Sequence, residues 1–564
     1  MTQPEIKELT QAKHLMEEGK LKEASQIILD LEKSVDLTHQ ELLSCKLLKA
    51  NLLVRLGNYL DSIKIAEEIF QEFQKLGDLV SSFDALLIQA YSYMITVNIT
   101  QSEDLITQAE NLFEIIKETF SIDLRERETF FVRIKAGIHG FKGDIHTSLE
   151  LNEKAYELAR GAGNKVLIAA CLNNIADQFY HMREYDKAIM YAKEAIKLAG
   201  ALQPAPGALG TLIATYVSKG DIKEAKVYLN QLRYHYKKHD TKRYRTLYYD
   251  SKAKILKSSL RARDRIKAED IFKELALDNT LDGESRMDAI INLCDLYLTE
   301  LRITNDLEII NEIHPYIQKL LDIAENQHLY LYLAETYLLQ AKLSLLTLDL
   351  KRAKRFLTQA QKIAESYGIK RLAMKISSEH DELLRQTKMW ENLKTSEVSL
   401  SERLELSGLN EQMENMVKRR MIEVPEISKE DPVMLLILTE GGNLLFSKKF
   451  IKDFSFEDDI LGGFLTTINY IISEIFSEGL DRAVFGQYTL LMMPLQPFLV
   501  CYIFKGDSYF AYLKIKNFLD SIQNDSVILQ SLQKFYQKSK SIQINDIPSL
   551  ESIVTEIFAK KNIQ

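Results

Sequence analysis

Along the first two thirds of the chain, polar and apolar positions recur in a fixed unit. A turn is followed by a helix that carries a small residue five positions past the start of the motif. The copies read Gly19-Lys-Leu-Lys-Glu-Ala24, Gly57-Asn-Tyr-Leu-Asp-Ser62, Gly143-Asp-Ile-His-Thr-Ser148, Arg183-Glu-Tyr-Asp-Lys-Ala188, Gly220-Asp-Ile-Lys-Glu-Ala225, Arg263-Asp-Arg-Ile-Lys-Ala268 and Leu348-Asp-Leu-Lys-Arg-Ala353. The small residues stand 38, 86, 40, 37, 43 and 85 positions apart. The two long gaps are doubled ones, so weaker copies are expected near residues 105 and 310, with a mean period of about 41.

The pattern changes after a charged linker, Val-Pro425-Glu-Ile-Ser-Lys-Glu-Asp-Pro432. Residues 1–429 hold 35 alanines and residues 430–564 hold three, so a different kind of packing begins here. Val433–Leu438 is a continuous apolar run of strand length, Glu440-Gly-Gly-Asn443 a turn, and Leu444–Ser447 the returning strand of a hairpin. Ser455-Phe-Glu-Asp458 is a capping signature for a helix over 458–477, which Gly479 stops. Strands are predicted at Arg482–Phe485, Tyr488–Met493 and Phe498–Phe504, and helices at 508–523, 526–538 and 546–559.

Composition supports a mostly helical protein. Pro is 9 and Gly 22 of 564 residues, about a third and a half of their usual shares. The formal net charge of −8 excludes a globally basic nucleic-acid coat and a disordered acidic tail. Cys45, Cys171, Cys294 and Cys501 are far apart in apolar contexts, without zinc spacing. They are expected to be buried free thiols in a cytoplasmic protein. Ala483–Phe504 lacks charge for 22 residues, but its Pro-Leu-Gln-Pro reads as a turn between two strands rather than part of a membrane span.

Helix pairs with this signature resemble tetratricopeptide repeats, and the long period resembles the longer variants found in the kinesin light chain group. The clearest copy runs Leu172-Asn-Asn-Ile175-Ala176-Asp-Gln-Phe179, then Tyr185, Ala188, Ala192 and Ala195. The resemblance covers residues 5–395 and implies a right-handed α-solenoid of about nine helix pairs used as a protein-binding scaffold. It places Asn174 in the groove that holds a partner's backbone. Asp177 stands where a carboxylate clamp would need Asn, so that specialised mode is excluded.

The strand, strand, helix, three-strand, helix order resembles the longin fold and its permuted relative, the roadblock fold. The Thr439–Ser447 hairpin and the Gly462-Gly463-Phe464 helix carry the likeness. It implies a five-stranded antiparallel sheet that docks a small Ras-like GTPase or another longin or roadblock subunit, with no catalytic site of its own. The domains are then 1–395, a repeat array; 396–431, a helix and Pro-containing linker; and 432–564, a longin-like α+β domain expected to fold alone. Leu444–Phe450 reads as an edge strand, with Leu445 and the 458–477 helix as candidate contacts for a GTPase or a second copy of the chain.

Chemistry is sparse. The sequence has no phosphate loop, nucleophile elbow, HExxH or GxGxxG after a strand, so neither enzyme activity nor a cofactor is expected. Glu457, Asp458 and Asp459 suit the first turn of a helix without a cation. His235 and His239 have the i, i+4 spacing of metal ligands, but Arg233, Lys237 and Lys238 beside them disfavour one.

One departure is strong. Residues 219–267 contain 16 Lys and Arg against 5 Asp and Glu, a net of +11. Cations and aromatics interleave at Arg233, Tyr234, Tyr236, Lys237, Lys238, Lys242, Arg243, Tyr244 and Arg245. Three readings fit: a solvated helix face with tyrosines packed between repeats, a surface for an acidic protein, or a nucleic-acid or lipid contact. The functional reading is a cytoplasmic adaptor, its array binding a protein segment and its C-terminal domain docking a second protein. A nucleic-acid-associated regulator using the 233–267 patch is the alternative. It is disfavoured because there is no helix-turn-helix signature and because residues 422–482 carry 12 acids against 5 bases.

Overall fold

The computed structural model describes residues 6–34, 37–96, 98–199, 206–239, 241–396, 398–419, 422–439, 443–451, 482–538, 540, 542 and 546–559. The chain divides into two compact units. The first is Met1–Leu333 with Asn410–Met421, and the second is Ala334–Leu409 with Ile422–Gln564. The linker from Ile422 therefore lies inside the second unit, together with residues 334–409.

The first unit is built of helix pairs: α1 (Lys7–Glu17) with α2 (Leu21–Glu32), α3 (His39–Leu56) with α4 (Tyr59–Leu76), α5 (Leu79–Ile95) with α6 (Ile99–Thr119), and α7 (Arg125–Phe141) with α8 (Ile145–Ala162). The pairing continues with α9 (Lys165–His181) and α10 (Tyr185–Ala199), α11 (Pro206–Lys219) and α12 (Ile222–His239), α13 (Lys242–Lys257) and α14 (Ala262–Leu277), and α15 (Gly283–Thr304) and α16 (Ile309–Asn326). Each helix packs on the next, and each odd-numbered helix also packs on the odd-numbered helix of the next pair. The odd helices thus form one continuous layer.

The small residue of the motif explains the pairing. It sits on the even helix and meets the odd helix 12 residues earlier. The Ser62 hydroxyl donates to the Ala50 carbonyl at 2.8 Å, and Ser102 donates to Ala90 at the same distance. Ala12 with Ala24, and Ala176 with Ala188, are fully buried at the same spacing, because only a small side chain lets the backbones approach this closely. The two weaker copies are Ser102 and Ile310, with Ile310 buried at 4 % exposure.

The turn residue has a conformational reason. Gly57, Gly143 and Gly220 have φ of 88°, 80° and 81°, the left-handed region open to glycine. Arg183 and Leu348 occupy the same place and take φ of 64° and 58°. Arg263 is an exception, since it already lies inside α14.

The second unit contains α18 (Leu350–Ser366), α19 (Lys370–Arg385), α20 (Thr387–Leu393), α21 (Leu400–Leu406) and most of α17 (Tyr330–Leu346), followed by a sheet. The strands are β1 (Asp431–Thr439), β2 (Leu444–Lys449), β3 (Arg482–Phe485), β4 (Tyr488–Leu495) and β5 (Phe498–Lys505). Their order is β2-β1-β5-β4-β3 and every pair is antiparallel. The charge-free stretch thus runs through three strands, β3, β4 and β5, and no described helix is long and apolar enough to cross a membrane. Leu435, Ile437, Val500, Tyr502 and Phe504 bury one face under α23 (Ser508–Gln523) and α24 (Ser526–Gln537). Leu436, Leu438, Cys501 and Ile503 are buried on the other face. A last helix, α25 (Pro548–Val554), adds Leu550 and Val554 to the first core.

The expectation that Leu445 is an exposed contact on β2 needs correction. β2 is an edge strand, but Leu445 is only 2 % exposed and belongs to the sheet core. Its carbonyl accepts a hydrogen bond of 2.7 Å from the Ile542 amide, and Phe446 bridges Ile542 in parallel. The core holds Leu445 and the backbone edge is partly used, so Leu445 cannot serve as an exposed contact. The 458–477 helix, with Glu457, Asp458, Asp459 and the Gly462-Gly463-Phe464 motif, falls outside the described residues.

The linker has no regular structure but is anchored. The Ser428 amide and hydroxyl donate to Asp507 at 2.8 and 2.9 Å, and Arg371 donates to the Ile422 carbonyl at 2.9 Å.

Candidate segment-binding face

In the first unit, the charged side chains of the odd helices meet across helix boundaries. Arg127 on α7 makes a two-pronged bond to Asp84 on α5, 2.8 Å on each side. Lys254 on α13 sits between Asp250 one turn before it, at 2.9 Å, and Asp288 on α15, at 2.7 Å. Lys257 reaches Asp295 at 2.8 Å and Asn292 at 2.7 Å. On α9, His181 Nε2 lies 3.1 Å from Asp177 Oδ2.

Electrostatics at this cluster follow from one cation shared by two carboxylates. Burial alone would raise Asp288, but the Lys254 and Arg419 cations outweigh it and hold that carboxyl well below the usual range. Burial pushes Asp250 up to about 6; Lys254 opposes this and the Asp288 charge adds to it.

The cluster is not empty. Residues Asn410–Met421 return to the first unit. They carry the helix α22 (Leu409–Val417), followed by Lys418 and Arg419. The Arg419 guanidinium bonds Glu284 on α15 and lies 3.8 Å from Asp288. The Lys418 carbonyl is 3.5 Å from His181 Nδ1. Carboxylates of α15 and the imidazole of α9 therefore hold a short piece of the chain's own backbone and one cation.

The sequence-derived residues distribute unevenly around this arrangement. Asn174 is on α9, one turn from Asp177, but its amide donates to Asn152 on α8 at 3.2 Å, so it is partly committed within the scaffold. The basic, aromatic patch lies on α12 and α13. Tyr236 stacks on Tyr248 at 5.5 Å between centroids and meets Tyr249 at 6.1 Å. Tyr244 stacks on His239 at 5.4 Å. These rings face one another rather than a ligand, whereas Tyr234 is exposed at 61 %. Lys242 donates to the Thr280 carbonyl. Arg243 lies where α13 comes back to the second helix pair: a Cβ on Gly57 would sit 3.9 Å from the Arg243 amide. Arg233, Lys237, Lys238 and Arg245 are exposed. His235 and His239 stack with centroids 6.1 Å apart. Burial, with Lys238 beside them, lowers the pKa of both. Among the described residues no group of three or more His, Cys, Asp or Glu could hold a metal ion.

Sequence reasoning missed Glu284, Asp288 and Arg419, whose partners lie up to 135 positions away. The one local signal was the Asp250–Lys254 spacing, which was absorbed into the count of the basic patch.

A tetratricopeptide repeat family model matches residues 131–201. No curated protein matches the chain. Similar solved structures include the apo form of RapI, with 16 % identity over 49 % of this chain and 98 % of that one, at a TM-score of 0.38. A Rap protein complexed with Competence and Sporulation Factor is 16 % identical over 73 % of this chain and 96 % of the other, at 0.38. The apo form of the quorum sensor NprR from B. thuringiensis is 13 % identical over 63 % and 97 %, at 0.39.

Proposed function

We propose that the chain is a non-catalytic scaffold whose odd-helix layer binds a segment of a partner protein. We propose also that its C-terminal α+β domain docks a second protein of the small Ras-like GTPase or longin and roadblock class. One observation carries the first half. The odd helices pack on one another as well as on their partners, so Asp177, His181, Glu284 and Asp288 present one surface, and that surface holds residues 418–419. Burial of the even helices' small residues keeps that layer continuous. The second half rests on the longin resemblance and the five-stranded antiparallel sheet with helices packed on it.

The test is affinity capture with the full chain and two charge reversals. Asp177→Lys alters the odd-helix layer, where the carboxylate is 45 % exposed, and Glu157→Lys alters α8, where it is 66 % exposed. A partner lost with the first and kept with the second supports the reading. Loss with both, or with neither, contradicts it. The docking half is tested with a panel of small GTPases in both nucleotide states. Capture of none contradicts it, and hydrolysis by the chain alone contradicts its non-catalytic character.

A further inference from the structure

The return of the 410–419 segment says what this face recognises, on the reading that it is a partner-binding face. In α22, Leu409, Gln412, Met413 and Met416 are buried, and their i, i+3, i+4, i+7 spacing makes one stripe along the helix. The helix ends at Val417; two residues on, Arg419 has a φ of 45°, in the left-handed region, and its amide donates to the Met416 carbonyl at 3.2 Å. An arginine here adopts a conformation that favours glycine. Arg183 and Leu348 take the same conformation after their helices, so what sets Arg419 apart is its surroundings.

Those surroundings are acidic. Glu284 and Asp288 are one turn apart on α15 and both point at the guanidinium. Asp250 and Asp177 add charge nearby, against a single buried lysine, Lys254. Without Arg419 the cluster holds more carboxylates than cations, in partly buried positions where unpaired charge is costly. A guanidinium suits the site because its planar fork serves two carboxylates at once, which an ammonium does less well.

We propose that Glu284 and Asp288, with His181 on the preceding backbone, form an arginine-recognition site. Its ligand is an amphipathic helical segment of a partner protein whose last turn runs into arginine. The chain's own Asn410–Arg419 fills the site until such a segment replaces it. Recognition lies in the carboxylate pair, which takes the guanidinium that follows the helix.

The probe is a labelled peptide with the sequence of residues 406–419, amidated at its C-terminus and titrated by fluorescence anisotropy into the full chain. Wild type is expected to bind it weakly, because the site is filled. Arg419→Glu, which the acidic pair repels, is expected to bind it at least tenfold more tightly. The same peptide with alanine in place of its arginine is expected to lose at least tenfold against that variant. Equal binding to wild type and variant, or equal binding of both peptides, would overturn the proposal. A measurement that does not rely on Arg419→Glu folding uses Glu284→Gln with Asp288→Asn: exchange of amides 412–419 should quicken at least tenfold, and unchanged exchange overturns the proposal. A wild-type dimer that weakens with Arg419→Glu would assign the site to a second copy and overturn the partner class. The scaffold reading fails separately, if Asp177→Lys leaves every captured protein bound while the two peptides are still told apart.

Discussion

Arg482 on β3 and Asp381 on α19 are 101 positions apart in the chain and buried against each other, Nη1 lying 3.3 Å from Oδ1. Gln361 accepts from the same guanidinium at 2.6 Å, and Asp381 accepts from the Ser508 amide at 2.8 Å, at the start of α23. One carboxylate thus joins the edge strand, a helix that precedes the linker and the helix that covers the sheet.

Removing one partner of such a pair leaves a buried charge uncompensated. Asp381→Ala is therefore expected to cost about 3–5 kcal/mol in urea unfolding of the full chain. A loss below about 1 kcal/mol would contradict the role given to the pair. A fragment that starts at residue 430 lacks Asp381 and Gln361 altogether, and is expected to unfold at lower urea than one that starts at residue 334. Equal midpoints would favour the autonomous domain expected from the sequence.

Asp250 gives a pH dependence with a definite sign. Its carboxyl is pushed up to about 6, above its ordinary 3.8. The folded state therefore holds its proton more tightly than the unfolded state does, and stability from this group is lost as pH rises from about 4 through 6. The ionised carboxylate therefore costs stability above pH 6. Asp250→Asn is expected to raise the thermal midpoint at pH 7.5, with the gain shrinking toward pH 4.5. A gain that grows on acidification would contradict the assignment.

The cysteines should be silent. All four are free and buried. Burial, with the Glu32 charge adding to it, pushes Cys45 up to about 11, and burial, with Asp295 adding, pushes Cys294 to about 12. Little thiolate exists at pH 8, and access is closed. A disulfide reagent is expected to label the native chain slowly and the urea-unfolded chain at four sites. Rapid labelling of one native equivalent would contradict the packing.

The basic patch divides by residue. Arg233, Lys237 and Lys238 are exposed. Their joint replacement by Ser is expected to leave stability within about 0.5 kcal/mol per site, while weakening any acidic partner in a salt-dependent way. Lys242 holds the Thr280 carbonyl, and Lys242→Ser is expected to cost about 0.5–1.5 kcal/mol in thermal unfolding. The same stability loss from the triple replacement would show that those cations are structural.

The repeats were legible because their signal is steric. A backbone contact that admits only Ala or Ser leaves a mark at every copy, as at Ala24, Ser62 and Ala188. Ile310 left none, because a large buried side chain stands there in place of a small one. The strands were legible from their apolar runs, but Leu445 was not. Leu445 and Phe446 are both buried, against simple alternation, and the β1–β2 register shifts between Ile437 and Leu438. The charge cluster was hidden for another reason. A local sum counts Lys254 and Lys257 as a basic surface, whereas α15 supplies Asp288 and Asp295 to neutralise them.

The measurement that bears most directly on the odd-helix layer as the binding surface is hydrogen exchange of the full chain with and without a captured partner. Partner binding should slow exchange in α9, α13 and α15, around Asp177–His181, Asp250–Lys257 and Glu284–Asp295, while α10, α12 and α14 stay unchanged. Protection confined to those even-numbered helices would contradict the assignment of the binding face.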